Sequence, residues 1–540
     1  MGKLEEIDFA ISDDEKEDEI KEEKVLVNPD WNLVDSYNLI EIYEDYPKYY
    51  YFVKRPVLSD RERLFGSVLQ NIILRKASLP ELSSKLGLPK AFLNELSSDT
   101  MHEIEANNLL HTLPDQEVFD LIKKSLLSLT RKHLDFIVHP VELTELVLDK
   151  TIGYGSLSPL IKDDWLEEVM VNGYNMPVFI FHRKHGMCET NIVTKKDGFI
   201  TRLLYRIATT VNRELTDALP LLDARLPDGS RANATSAYAT PFGPSLTIRK
   251  FSKIPLTVID LINNGTMSVE VAAFLWVMVE GFGIEPMNVI ITGGSGTGKT
   301  STLNALSVFI RKEDRIITIE DTPEVYLGTR KNWIQMEARP AISGKPALSM
   351  DELLKNALRM RPDRLIVGEV RGPEAQTLFT AMDIGHRGCM GTVHSNSGRE
   401  LITRLKSAPM EVPDIMLPLL DLIVVQYRMH APGKGIIRRI SQISEVSRME
   451  DQPLLGELFI WKKEEDKIVK TATPSHILEK IADRTAKTKK EVMKEIKIRQ
   501  KILEWMNLKD IHSIEEVEEI VHAYYYTPTE ILEQVSEELE

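Results

Sequence analysis

The chain has 540 residues, enough for about three domains, and carries 67 Lys and Arg against 82 Asp and Glu, a net charge of −15. That balance argues against a nucleic-acid coat and against a broad footprint on anionic lipid. The only cysteines, Cys188 and Cys389, exclude a disulfide framework and a four-cysteine zinc site, and fit a reducing compartment.

No apolar run reaches the ~18 residues needed to cross a bilayer. "VAAFLWVMVEGFG" from Val271 is cut by Glu280 and Gly281, and "IMLPLLDLIVV" from Ile415 by Pro418 and Asp421. The acidic N-terminus is read as lacking a signal peptide, and Glu6 argues against a myristoyl signal after Met1-Gly2. Direct membrane insertion is not expected.

Residues 1–24 hold eleven carboxylates and four lysines. Their few apolar side chains cannot offset ordering entropy, so an acidic disordered tail is expected, either simply solvated or an arm for a basic partner. Residues 25–150 are expected to form a mixed, mostly helical, partner-binding domain. Within it "DYPKYYYFVKRPVL" predicts a strand or hairpin, with its tyrosines in a sheet core rather than on a base-stacking platform. "DRERLFGSVLQNIIL", "MHEIEANNLLHTL" and "QEVFDLIKKSLLSLTRKHLDFIV" have the three- and four-residue apolar spacing of amphipathic helices.

"GYGSLSPLI" from Gly153 marks a boundary. A small α/β domain is expected over 151–250, with "RLPDGSRANA" as a tight hairpin and "SLTIRKF" as a strand. Residues 251–262 read as a linker stiffened by Pro255. Over 263–450 the α/β alternation becomes regular. Strands are predicted at 288–292, 315–320, 364–370, 389–394, 421–429 and 436–446, which implies a mostly parallel sheet. Residues 451–540 read as a helical appendage.

The stretch "VIITGGSGTGKTSTLNAL" from Val289 fits G-x-x-x-x-G-K-[ST] between a strand and a helix. Its nucleotide-cradling residues are Gly293, Gly294, Ser295, Gly296, Thr297, Gly298, Lys299, Thr300 and Ser301. Glycines let successive N–H groups turn toward phosphate oxygens, and the new helix adds its positive end. Lys299 is suited to the β- and γ-phosphates of ATP, and the Thr300 hydroxyl to Mg2+. Two apolar strands end in carboxylates: "RIITIEDTPE" with Glu320 and Glu324, and "DRLIVGEVRGPEA" with Glu369. Ligands of doubly wound sheets sit beyond such carboxyl ends. Glu369 is therefore the expected water-orienting base, with Glu320 or Glu324 near Mg2+. Gly368 stands where an aspartate is usual. In "GHRGCMGTVHSNS", His394 ends a strand and is suited to sensing a γ-phosphate, whereas His386 reads as an ordinary packed or surface residue.

"GGSGTGKT", "IEDTPE", "LIVGEVRGPEA" and "GHRGCMGTVHSNS", in that order, resemble the Walker A, Asp, atypical Walker B and His boxes of the secretion-superfamily traffic ATPases. The likeness covers roughly 150–450, and the archaeal branch fits best, most like the archaellum motor ATPase, with the archaeal type IV pilus assembly or secretion ATPases as the near alternative. It implies a RecA-like P-loop motor domain preceded by a smaller PAS-like α/β domain that covers the nucleotide. It also implies a homo-hexamer with ATP between subunits, and Arg225, Arg231 and Arg249 acting on the neighbour's nucleotide. A polytopic membrane platform protein is the implied partner, with room for an accessory regulatory ATPase-like protein, and the implied place is the inner face of the cell membrane. Two other classes remain open: a nucleotide-gated scaffold without turnover, and a nucleic-acid translocase, which the net charge does not support.

Overall fold

The computed structural model describes residues 31–54, 58–74, 89–134, 136–196, 198–250, 255–328, 330–339, 346–431, 435–449 and 452–539. The expected acidic tail, and residues 251–254 of the expected linker, lie outside them. Contacts divide the chain into two units, 1–252 and 253–540.

The first unit is built on β1 (Asn32–Tyr37), β2 (Ile40–Asp45), β3 (Lys48–Val53), β4 (Leu166–Val171), β5 (Met176–His182), β6 (Gly186–Thr194), β7 (Leu221–Arg225), β8 (Arg231–Thr235) and β9 (Ser245–Arg249). They form one nine-stranded sheet in the order β1-β2-β3-β6-β5-β4-β9-β8-β7. Asn38, in the two-residue turn between β1 and β2, has φ 50°, a left-handed conformation that asparagine tolerates. Tyr51 is fully buried, as a sheet-core reading requires, and Trp31 stacks on Tyr50 at 3.9 Å. Strand β3 pairs in parallel with β6, so the segments expected on either side of residue 150 share this sheet.

Helices α1 (Asp60–Ile73), α2 (Gln116–His133) and α3 (Pro140–Thr151) bury their apolar stripes in a separate core around Phe65, Leu126 and Val147. Helix α4 (Phe199–Thr210) lays Ile200, Leu203, Leu204 and Ile207 on the sheet.

The second unit holds β10 (Val289–Gly293), β11 (Ile316–Glu320), β12 (Trp333–Glu337), β13 (Arg364–Val370), β14 (Met390–Val393), β15 (Leu422–Ala431), β16 (Gly435–Met449), β17 (Gln452–Lys462) and β18 (Lys467–Lys470). Their order is β12-β11-β13-β14-β10-β15-β16-β17-β18. The pairs from β12 to β15 are parallel, and β15 to β18 are antiparallel. This is the RecA-like arrangement, in which the strand bearing the phosphate loop is separated from that bearing Glu369 by one strand. The six predicted strands are all present. Strand β12 was not predicted. Strands β17 and β18 fall where only helix was expected, and they extend the sheet past residue 450.

Helices α5 (Val258–Asn263), α6 (Val269–Glu280), α7 (Lys299–Ser307), α8 (Met350–Ala357), α9 (Glu374–Asp383) and α10 (Gly398–Lys406) alternate with the strands. The chain closes with α11 (His476–Arg484), α12 (Lys489–Leu508), α13 (Ile514–Tyr526) and α14 (Pro528–Leu539). Thr257 and Asp260 form a capping box that starts α5, so the described part of the expected linker turns helical at Val258. Helix α6 is buried from Val271 to Glu280 and ends at Gly281, φ 61°, which explains the interrupted apolar run.

The closing helices share the core of α6 and α7. Trp276 stacks on Phe309 at 4.9 Å and donates its indole N–H to the Tyr525 hydroxyl at 2.6 Å. Tyr525 in turn donates to the Phe309 carbonyl at 2.9 Å. Buried Glu280 accepts from Arg311 at 2.6 Å and from Arg499 of α12 at 2.9 Å.

Candidate active site

Strand β10 is buried along its length and pairs with β14 and β15, which fixes the start of the phosphate loop. A Cβ at Gly293 would stand 2.5 Å from the Gln426 carbonyl and 2.6 Å from the Thr297 hydroxyl. Gly296 and Gly298 have φ 65° and 93°, open to glycine at no steric cost. Thr297 donates to the Gly294 carbonyl at 3.0 Å, and Ser295 is exposed at the tip. Lys299 is buried, and its Nζ donates to the carbonyls of Gly293 (3.1 Å) and Gly294 (2.9 Å). Thr300 and Ser301 lie half-buried in the first turn of α7.

Hydroxyls tie the neighbouring strand ends to this loop. Thr292 Oγ1 lies 2.6 Å from Ser395 Oγ and accepts from the Ser395 amide at 3.1 Å. Thr392 donates to the Gly368 carbonyl at 2.6 Å. The Arg404 guanidinium donates to the His394 carbonyl at 2.6 Å.

The half-buried carboxylate of Glu369 accepts from Arg371 Nη2 at 2.6 Å. Burial works against its charge, but the Arg371 bond and charge prevail, and Lys299 and His394 add to them. Glu369 therefore sits below the usual glutamate range and is ionised at neutral pH. Arg371 also reaches Asp321 at 3.4 Å, and Glu324 adds negative charge around it. Burial and the charge of Lys299 hold His394 below the ordinary imidazole value, so it is mostly neutral at pH 7.

Glu320 explains the glycine before Glu369. A Cβ at Gly368 would meet Glu320 Cγ at 2.7 Å and Oε1 at 3.0 Å. The carboxylate from β11 thus occupies space that an aspartate at 368 would fill. Its Oε1 accepts from the amides of Glu324 (2.8 Å) and Val325 (2.9 Å), while its Oε2 is buried and makes no well-formed hydrogen bond among the described residues, the Gln335 side chain lying nearby. Burial pushes the group up to about 7. A buried carboxylate oxygen without a hydrogen bond at the carboxyl end of β11, together with the Thr300 hydroxyl at the start of α7, suits a divalent cation that takes its other ligands from phosphate and water. Among the described residues no cluster of three or more His, Cys, Asp or Glu could hold a metal by itself. Glu324 contributes through its backbone as well, its carbonyl accepting from Asn304 of α7 at 3.1 Å.

Three residues escaped the sequence reading. Arg438 donates to the Gly296 carbonyl at 2.9 Å, and the Arg428 guanidinium closes on the Gly296 Cα. Gln426 Nε2 donates to Thr302 of α7 at 2.6 Å. Strands β15 and β16 place Arg428 directly opposite Arg438. A hairpin read around "APGKG" in the sequence pairs the same two positions.

Arg225, Arg231 and Arg249 belong to the first unit. The register places Arg225 opposite Arg231 and Arg231 opposite Arg249, all three exposed. Asp223 offsets part of that charge, 3.0 Å from Arg231. Like charges directly opposite are destabilising, so such a row favours an anion.

A family model for type II/IV secretion system proteins matches residues 151–431, just over half of the 540-residue chain. An uncharacterized protein of Methanocaldococcus jannaschii is 45% identical over 351 residues, covering 59% of this chain and 48% of its own length. This chain thus spans about half the length of that relative. A second protein of the same organism is 35% identical over 381 residues, covering 69% and 68%. The conjugal transfer protein TrbB of Rhizobium radiobacter is 29% identical over 296 residues, covering 53% and 85%. Among solved structures, the ATPase DotB of Legionella pneumophila is similar at 16% identity and a TM-score of 0.39, covering 67% of this chain and 93% of that one. The phosphate-loop motif with its strand-end carboxylates and the extent of the family match lead to one conclusion: the chain belongs to the type II/IV secretion system protein family.

Proposed function

We propose that this chain is an ATP-hydrolysing motor that works as a hexamer, with nucleotide held between subunits. It drives assembly or rotation of an archaellum-type filament through a polytopic membrane platform protein. The observation that carries the reading is Glu369 at the carboxyl end of β13, bonded to Arg371 at 2.6 Å and in the field of Lys299, which together favour its carboxylate form. That carboxylate is ready to orient and deprotonate an attacking water.

In this reading Lys299 leaves the Gly293 and Gly294 carbonyls for the β- and γ-phosphates. Mg2+, when bound near Thr300 and Glu320, neutralises phosphate charge. Arg428 and Arg438 hold the loop in its curled form. Arg371 releases Glu369 toward water as the site fills, and His394 donates to the γ-phosphate. The row Arg225, Arg231 and Arg249 supplies cations to a neighbour's nucleotide, and loss of the γ-phosphate loosens that grip.

Phosphate release by the purified protein tests the reading. Lys299→Ala should abolish turnover, and Glu369→Gln should keep ATP binding while losing hydrolysis. Undiminished hydrolysis in Glu369→Gln sinks the mechanism. Secretion or pilus assembly by the same motor is a second reading, favoured by the conjugal-transfer relative. Deleting the gene separates the two: loss of swimming points to the archaellum, and intact swimming with lost pili or export points to the other.

A further inference from the structure

The closing helices sort their charge by face. From Lys487 to Lys501 the chain has seven basic side chains against Glu491 and Glu495, whereas residues 502–540 hold eleven carboxylates against Lys509. On α12, Lys490, Lys494, Lys497 and Lys501 follow one another at spacings of four, three and four. They fall within about 60° of each other, opposite the buried face of Val492, Ile496 and Leu503. All four are exposed, and none makes an ion pair or hydrogen bond among the described residues. Nearby cations are already engaged, Lys489 with Glu479 at 2.9 Å and Lys487 over the Phe282 ring at 5.1 Å.

The acidic face is built the same way. Glu515 and Glu519 of α13, and Glu530, Glu533 and Glu537 of α14, are exposed and make no ion pair among the described residues. Between α13, α14 and the end of α12 lies a groove of about 310 Å³. Its floor includes Trp505, Ile511 and Ile520, and Glu519 lines it; Lys509 and Glu538 at its edge pair at 2.5 Å, and Ser513 donates to Glu516 at 2.6 Å. Apolar floor beside carboxylates suits lysine, whose methylene stem packs while its ammonium stays at the rim. Like charges at three- and four-residue spacing destabilise an isolated helix, whereas alternating signs would stabilise it. Both faces therefore gain from a partner of opposite sign.

We infer that the lysine face of α12 in one copy of this chain docks on the exposed glutamate face of α13 and α14, beside their groove, in the next copy. The two surfaces differ, so the contact is head-to-tail and leaves each copy with one face to offer, as a ring requires. Lysines, rather than arginines, give a hydrated, salt-sensitive contact that can be made and broken as the copies move.

Sedimentation velocity on the full chain without nucleotide tests this, so failure here leaves the hydrolysis reading untouched. Raising salt from about 0.05 to 0.5 M should weaken association. The variant K490E/K494E/K497E/K501E, and separately E515K/E519K/E530K/E533K/E537K, should each weaken it about tenfold or more, with thermal melts reporting intact folding. An equimolar mixture of the two variants should associate again, because each then offers what the other lacks. Three results overturn the inference: association indifferent to both variants, a mixture that stays apart, or a lysine variant that assembles normally and loses only its binding to phosphatidylglycerol vesicles.

Discussion

The centre of the motor sheet and the edge of the first sheet present charge in opposite ways. Strands β10, β11, β13 and β14 are buried nearly throughout, so functional side chains appear only where the strands stop: Lys299, Glu320, Glu369 and His394. Strands β7 to β9 are antiparallel with one solvated face, and their arginines run across the strands. Groups at strand ends are held by packing, and changing their volume, rather than only their charge, should disturb the fold. A solvated row is placed by register and partly offset by carboxylates such as Asp223, so removing it should disturb the fold less than altering a buried strand end.

The largest effect tests the row. Changing Arg225, Arg231 and Arg249 to alanine together should cut steady-state phosphate release about 10³-fold or more, the worth of an arginine finger. The melting temperature should change little, since the like charges that part offset the loss of the Arg231–Asp223 pair. A large drop in melting temperature would erase the contrast. Next, Glu369→Gln should lower single-turnover hydrolysis about 10³-fold, the middle of the general-base range, with nucleotide affinity kept.

A third test uses pH. Glu320 titrates at about 7 in the fold and near its ordinary 4.5 when unfolded. The native state therefore binds the extra proton between those values, and the stabilisation present below pH 4.5 fades as pH rises through 7. Without nucleotide or metal, unfolding free energy should fall by about 3 kcal/mol across that window, and Glu320→Gln should flatten the dependence. The smallest effect sharpens the comparison within the motor. Gly368→Ala forces a Cβ against Glu320 and should cost about 2 kcal/mol in denaturant melts. Adding Glu320→Ala should return most of that, a coupling that independent sites would not show.

Much of the motor was legible because continuous apolar runs bounded by glycine, proline and charge announce buried parallel strands, and β13 matched residue for residue. The phosphate loop was legible because its spacing reflects local backbone geometry. Strand β12 escaped because it is short and only half-buried, with no clean alternation in "WIQME". Strands β17 and β18 escaped because sheet extension depends on pairing with β16, not on any local cue. The purpose of Gly368 could not be read either: Glu320, which fills its space, stands 48 positions earlier.

The Trp276–Phe309–Tyr525 junction bears on how the protein can be dissected. Every signature box ends before residue 400, which invites a trimmed version that stops after β16. Such a fragment would keep every residue proposed to bind nucleotide and lose Tyr525, leaving an indole N–H and the Phe309 carbonyl facing bare solvent beneath α7. Helix α7 is footed on the last stretch of the chain, so the half that carries the signature boxes cannot be harvested without the tail-end bundle on which it stands.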